Sequence, residues 1–113
     1  MTFTCVESAF QAQKVLDLAE RAKFEKLDPS KAKRLGRSVK LRKDWEEVKD
    51  EIMYQLCLEK FKQEPMRTKL INTGDQELVE GNWWRDTYWG VCKGVGQNKL
   101  GKILMRVRSE LRG

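Results

Sequence analysis

The stretch from Asp44 to Gln63 leaves this chain the least freedom. Asp44 is a natural helix N-cap, and Glu46 and Glu47 put negative charge where a first turn exposes its N–H groups. Val48, Ile52, Leu56 and the Cys57–Phe61 pair then recur at the spacing of one helix face. A helix over 45–63 with such a stripe must bury it against other elements. Its neighbours on both sides read as helices too, so helix-on-helix packing is the expected architecture. One helix is expected over 5–23, with Thr4 and Glu7 at capping-box spacing and Val6, Phe10, Leu16 and Leu18 on its buried side. A short one over 29–35 has Asp28 as cap, Pro29 at its first position and Gly36 to end it. A fourth covers 65–72 and stops at Gly74; a fifth follows Asn98 and carries Leu100, Ile103, Leu104, Val107 and Leu111.

The stretch 74–97 breaks this pattern. It holds Gly74, Gly81, Gly90, Gly94 and Gly96, with Trp83, Trp84, Tyr88 and Trp89 between them. Short strands are expected at Leu78–Val79 and within 88–92. Loops that carry so many large rings usually line a ligand site.

With 113 residues the chain has the length of one domain with a small core. No apolar run approaches the roughly 20 residues of a membrane span, and no leader is read at the N-terminus, so a cytoplasmic protein is expected. Cys5, Cys57 and Cys92 are far apart and His is absent. Disulfide frameworks, the usual zinc sites and Ser-His or Cys-His catalysis are therefore not expected. Any chemistry falls to carboxylates, Lys, Tyr or Cys. The net charge of +6 is uneven: residues 1–43 carry 11 basic and 5 acidic side chains, residues 44–80 carry 5 and 10, and residues 81–113 carry 7 and 2. The dense tract from Lys31 to Lys43 suits either a phosphate-bearing partner or a solvated surface.

Four sets of residues stand out. Glu7, Gln11 and Lys14 follow one another at i+4 and i+7 and so share a helix face, which is either solvated or the wall of a polar pocket. Asp86 lies among Trp83, Trp84 and Trp89, either as a partly desolvated acid–base group or as the cap of a turn. Trp45 is either an anchor in the core or a platform for a base, with Arg37, Lys40 or Arg42 on phosphate. Gly94-Val95-Gly96 before a helix is a weak phosphate-cradle signal.

In this order the blocks resemble the NADAR (YbiA-like) family of N-glycosidases. The matching text is Glu7-Ser8-Ala9-Phe10-Gln11-Ala12-Gln13-Lys14, the run from Gly36 to Trp45, Thr73-Gly74-Asp75, Asn82, the run from Trp84 to Val91, and Gly96 to Lys102. The resemblance implies a mainly α fold: a single compact multihelical domain over 1–113, with a Trp- and Gly-rich loop region and an N-terminus short relative to the family. It implies hydrolysis of the N-glycosidic bond of a ribosylated base, either a ribosylaminopyrimidine phosphate of riboflavin synthesis or ADP-ribosylated guanine. An ADP-ribosylated nucleic acid falls within the same range of substrates. On this resemblance Glu7, Lys14 and Asp86 are the catalytic candidates, and Arg37, Trp45, Asn82 and Trp89 the substrate-binding ones. No metal and no cofactor is expected. Glu7, Lys14, Trp45, Asp86 and Trp89 are expected to meet in one pocket. Two other classes remain: a nucleotide- or ADP-ribose-binding module that does not cleave, and a basic nucleic-acid-binding protein whose affinity falls with salt.

Overall fold

The computed structural model of the chain describes residues 2–82 and 84–113; Trp83, one of the rings expected around Asp86, lies outside the described residues. The fold is mainly helical, as expected. The chain divides into two units, Met1–Ile52 and Met53–Gly113.

In the first unit, α1 spans Val6–Ala12, α2 Leu18–Ala22 and α3 Pro29–Ser38, followed by the start of α4, Trp45–Phe61. The single helix expected over 5–23 is thus two short ones. The cause is local. Asp17 turns its carboxylate onto the N–H groups of Ala19 and Glu20, at 2.8 and 3.2 Å, and starts a new helix. The break takes Leu16 and Leu18 off the buried side, where they stand 64% and 66% exposed. The cap of α1 is also one residue later than expected. The Cys5 sulfur accepts the Ser8 N–H, and the Thr4 hydroxyl donates instead to Leu27 O. Asp28 caps α3 at Lys31 N as expected, but the helix runs through Gly36 to Ser38. The core of this unit is Phe24, fully buried against Ala12 and Ala32, with Phe3, Leu27, Leu35 and Val39 around it. The small side chains of Ala12 and Ala32 let α1 and α3 approach, and Phe24 fills the space they leave.

The second unit holds the rest of α4, α5 (Met66–Ile71), α6 (Lys99–Arg112), and two two-residue strands, β1 (Gly81–Asn82) and β2 (Val91–Cys92). The strands pair in parallel, Gly81 opposite Val91 and Asn82 opposite Cys92. The first strand lies beyond the expected Leu78–Val79, where Leu78 O and Glu80 N, on either side of Val79, are claimed by a side chain. Asn98, buried and in the left-handed region at φ 52°, donates to Leu78 O at 2.8 Å and accepts from Glu80 N at 2.9 Å. Gly101 makes this possible, since a Cβ there would overlap Leu78 O and the Asn98 amide. Several α6 cations have structural partners. Arg108 is buried on the Thr73 hydroxyl at 2.7 Å, Arg106 stacks 3.6 Å from the Tyr54 ring centre, and Arg112 pairs with Asp75 at 2.9 Å. Among the described residues, no helix is long and apolar enough to cross a membrane.

Candidate active site

The first unit brings Glu7, Gln11 and Lys14 together. Glu7 and Gln11 are one turn apart on α1, and the Gln11 amide donates to the Glu7 carboxylate at 2.9 Å. Lys14 lies just past the end of α1, where a turn closes from Lys14 N to Gln11 O at 3.1 Å. Its own carbonyl accepts from Arg42 N at 2.8 Å, which ties the segment after α3 to this turn. The Lys14 amine points at Gly36 O, 3.5 Å away. Burial holds this amine below the usual lysine range; Glu7 draws it back up, while the charges of Arg37 and Lys49 press it further down. An amine so placed is neutral, and so available as a nucleophile, in a larger fraction than a surface lysine.

Gly36 is required for the cluster to close. A Cβ at this position would overlap the Gln11 side-chain carbonyl and stand 3.3 Å from the Lys14 nitrogen. Arg37, the next residue, is exposed on α3. Trp45 is only 6% exposed and packs on Phe10, ring centres 5.0 Å apart. Arg42 is paired with Asp44 at 2.6 Å, and that guanidinium holds the Asp44 carboxyl below the usual carboxylate range. A cavity of about 560 Å³ in this unit is lined by Val15, Leu35, Val39, Lys40 and Arg42, among others, but not by Glu7 or Lys14.

The second unit brings Asn82, Asp86 and Trp89 together. The Asn82 amide closes a ring with the Asp86 backbone, donating to Asp86 O at 2.8 Å and accepting from Asp86 N at 3.0 Å. Arg85 turns the chain within that ring at φ 65°. Asp86 Oδ1 then accepts the N–H groups of Tyr88 and Trp89 at 3.1 and 2.9 Å. The half-buried carboxylate is therefore aimed by its own turn, with both turn bonds on one oxygen. Tyr88 and Trp89 meet edge to face, 4.9 Å between ring centres, and Trp84 is 52% exposed. The phosphate cradle expected at Gly94–Gly96 is not formed. The first N–H groups of α6, on Asn98, Lys99 and Leu100, are taken by the carbonyls of Gly90, Tyr88 and Trp89.

The chain matches the NADAR domain over residues 1–112. It is 40% identical to N-glycosidase YbiA of Escherichia coli over 115 residues, which cover 97% of this chain and 71% of that one. It is 40% identical to a riboflavin biosynthesis protein of Vibrio vulnificus over 110 residues, 93% of this chain and 30% of that protein. The solution structure of Escherichia coli YbiA superposes with a TM-score of 0.87 at 39% identity, covering 97% of this chain and 68% of the other. The chain belongs to the NADAR domain family.

Within this NADAR domain, sequence reasoning found Glu7, Lys14 and Arg37 from spacing and resemblance, and the fold groups them around one amine. It missed Gly36 as a contact residue and Lys49 as a charge acting on Lys14. Gly36 carried a weak signal, a glycine inside a run of good helix formers. Lys49 carried none, because its charge reaches Lys14 only through the fold. Cys57 can be set aside as a nucleophile: burial pushes its thiol up to about 11.

Proposed function

We propose that this NADAR domain hydrolyses the N-glycosidic bond of a ribosylated or ADP-ribosylated base. The observation that carries the reading is the half-buried Lys14 amine, kept short of its usual proton affinity beside the Glu7 carboxylate. The activities named for the relatives support the same class of reaction.

As the C–N bond weakens, the sugar carbon gains cationic character and the departing nitrogen gains electron density. A carboxylate beside the carbon and a proton source beside the nitrogen both lower the barrier. Glu7 of the first unit and Asp86 of the second are each proposed as a carboxylate able to fill one of these roles. Lys14 offers a second route. Its neutral amine adds to the anomeric carbon of the ring-opened sugar, and the leaving nitrogen takes a proton and departs. The lysine imine left behind adds water and releases the sugar aldehyde and the amine. Over the cycle one water is consumed, one C–N bond is broken and one C–O bond is made.

In the first unit Arg37 is proposed to hold phosphate and Trp45 to serve the base; in the second, Trp89 is proposed as a base-binding ring. Trp45 would act mainly by shaping the wall, since so little of its ring is exposed. Asn82 would act through Asp86, because both polar atoms of its amide are engaged by that residue. The 560 Å³ cavity, whose lining begins at Val15 and includes Lys40 and Arg42, has the size of a small-ligand pocket.

The test is incubation of the full chain with a ribosylaminopyrimidine phosphate and with an ADP-ribosylated guanine oligonucleotide, read by mass spectrometry. Release of the free amine or base is the expected result. Tight binding with no release would replace the hydrolase by a binding module. Affinity for unmodified DNA that falls steeply with salt, again with no release, would favour nucleic-acid binding. Borohydride added during turnover separates the two routes: a sugar adduct on Lys14 supports the imine, and an active Lys14→Arg protein without an adduct leaves the carboxylates as the catalytic unit.

A further inference from the structure

Gln11 is 7% exposed, and its two amide ends differ. The Nε2 end donates to Glu7 Oε1 at 2.9 Å. A carboxylate only accepts, so this bond fixes which way the amide faces. Oε1 is then turned onto α3, where among the described residues it has no hydrogen-bond partner. A buried acceptor without a donor is costly, and such a group is usually kept for a reason. What stands beside it is Lys14. A Cβ built on Gly36 would overlap Oε1, lie 2.8 Å from the Gln11 Cδ and 3.3 Å from the Lys14 Nζ. Amide carbonyl and amine thus flank the same bare side of Gly36. Among the described residues the amine donates to Gly36 O, at a long 3.5 Å, while its ammonium form carries three donors.

We propose that Gln11 is the positioning residue of the Glu7–Lys14 pair, clamping the carboxylate with its N–H and offering the protonated lysine its carbonyl across the bare Cα of Gly36. The charged groups that face Lys14 are Glu7 from α1, Arg37 from α3 and Lys49 from α4. Two of these three are cations that disfavour the ammonium. The amide supplies a neutral acceptor that receives the ammonium when Lys14 takes up a proton, and releases it when the amine must attack. Gly36 is part of the device, because any side chain there would push the amide out from between the two groups.

The catalytic meaning of this pair rests on the proposed N-glycosidase reading, but its test does not need turnover. The pH dependence of Lys14 acylation by an amine-reactive ester is followed by peptide mass spectrometry in wild type, Gln11→Glu and Gln11→Met. Gln11→Glu places a negative charge beside the amine and should move the acylation midpoint up by roughly one pH unit. Gln11→Met keeps the bulk but removes both the acceptor and the clamp on Glu7, and should move the midpoint down. A purely structural role would move both variants the same way or neither. Unchanged midpoints in the two folded variants would overturn the proposal. Should Gln11→Met fail to fold, Gly36→Ala takes its place, with the same downward shift expected from displacement of the amide and an unchanged midpoint counting against it. Opposite shifts in a protein that hydrolyses none of the substrates would leave the positioning intact and remove only the N-glycosidase reading.

Discussion

Asn98 offers the sharpest test of how the second unit holds its site. Its side chain makes two hydrogen bonds, to Glu80 N at 2.9 Å and Leu78 O at 2.8 Å, and its backbone sits at φ 52°. Glu80 O in turn accepts from Val91 N at 2.8 Å, so Asn98 steadies the start of the β1–β2 pair that frames the Asp86 loop. Asn98→Gly accepts the backbone conformation and loses only the side chain. Two part-buried backbone groups are left unpaired, each costing about 1 kcal/mol at the lower end of the usual range, for a total near ~2 kcal/mol. Asn98→Ala loses the same bonds and adds left-handed strain of about 1 kcal/mol, for roughly 3 kcal/mol. Urea unfolding followed by circular dichroism at 222 nm reads both, with an unchanged slope expected if the fold survives. A Gly variant within about 0.5 kcal/mol of wild type would show that these bonds contribute nothing net. An Ala variant more stable than the Gly variant would contradict the positive φ.

Gly101→Ala should destabilise the second unit in the same assay, although alanine favours a helix interior by about 1 kcal/mol, because its methyl would displace the Asn98 amide. Glu7→Gln and Asp86→Asn should each lower turnover of the cleaved substrate by roughly 100-fold or more in steady-state kinetics, and full activity in both would remove these residues from the mechanism. Trp45→Ala should cost about 3–5 kcal/mol of stability in urea unfolding, the usual effect of emptying a packed aromatic site, and a fully stable variant would contradict its burial. If neutral Lys14 is the reacting form, kcat/KM should rise with pH through a limb below the ordinary lysine value of 10.5, since burial lowers this amine; Glu7→Gln removes the charge that draws it up and should move that limb to lower pH.

The helices legible in the sequence were those in which no second start signal competed. α3, α4, α5 and α6 stand close to where Asp28, the Val48–Phe61 stripe, the Pro65 and Gly74 bounds and the Leu100–Leu111 stripe put them. The first helix failed because two local signals competed. Apolar spacing favoured one element through Leu16 and Leu18, and Asp17 favoured a new start. Asp17-Leu18-Ala19-Glu20 has the acid-x-x-Glu spacing of a helix N-terminus, so the break was present in the sequence and was outweighed by the stripe.

The candidate site divides along the same line between local and non-local causes. Glu7, Gln11 and Lys14 are set by spacing within eight residues, and the Asp86 turn by side chains two to four residues from their partners. Besides burial and the nearby charge of Glu7, Lys14 is set by residues 22 to 35 positions away: the Gly36 backbone, Arg37 and Lys49. No periodicity encodes those meetings. Charge follows the same division: residues 81–113 carry 7 basic and 2 acidic side chains, yet Arg106, Arg108 and Arg112 bind a ring, a hydroxyl and a carboxylate inside their own unit. Within the first unit the 31–43 tract keeps exposed cations, among them Arg34, Arg37 and Lys40. A phosphate-bearing substrate that approaches Lys14 therefore meets its positive charge on α3 and the segment after it, and Arg37, already felt by the Lys14 amine, is the cation whose loss should weaken such a substrate most.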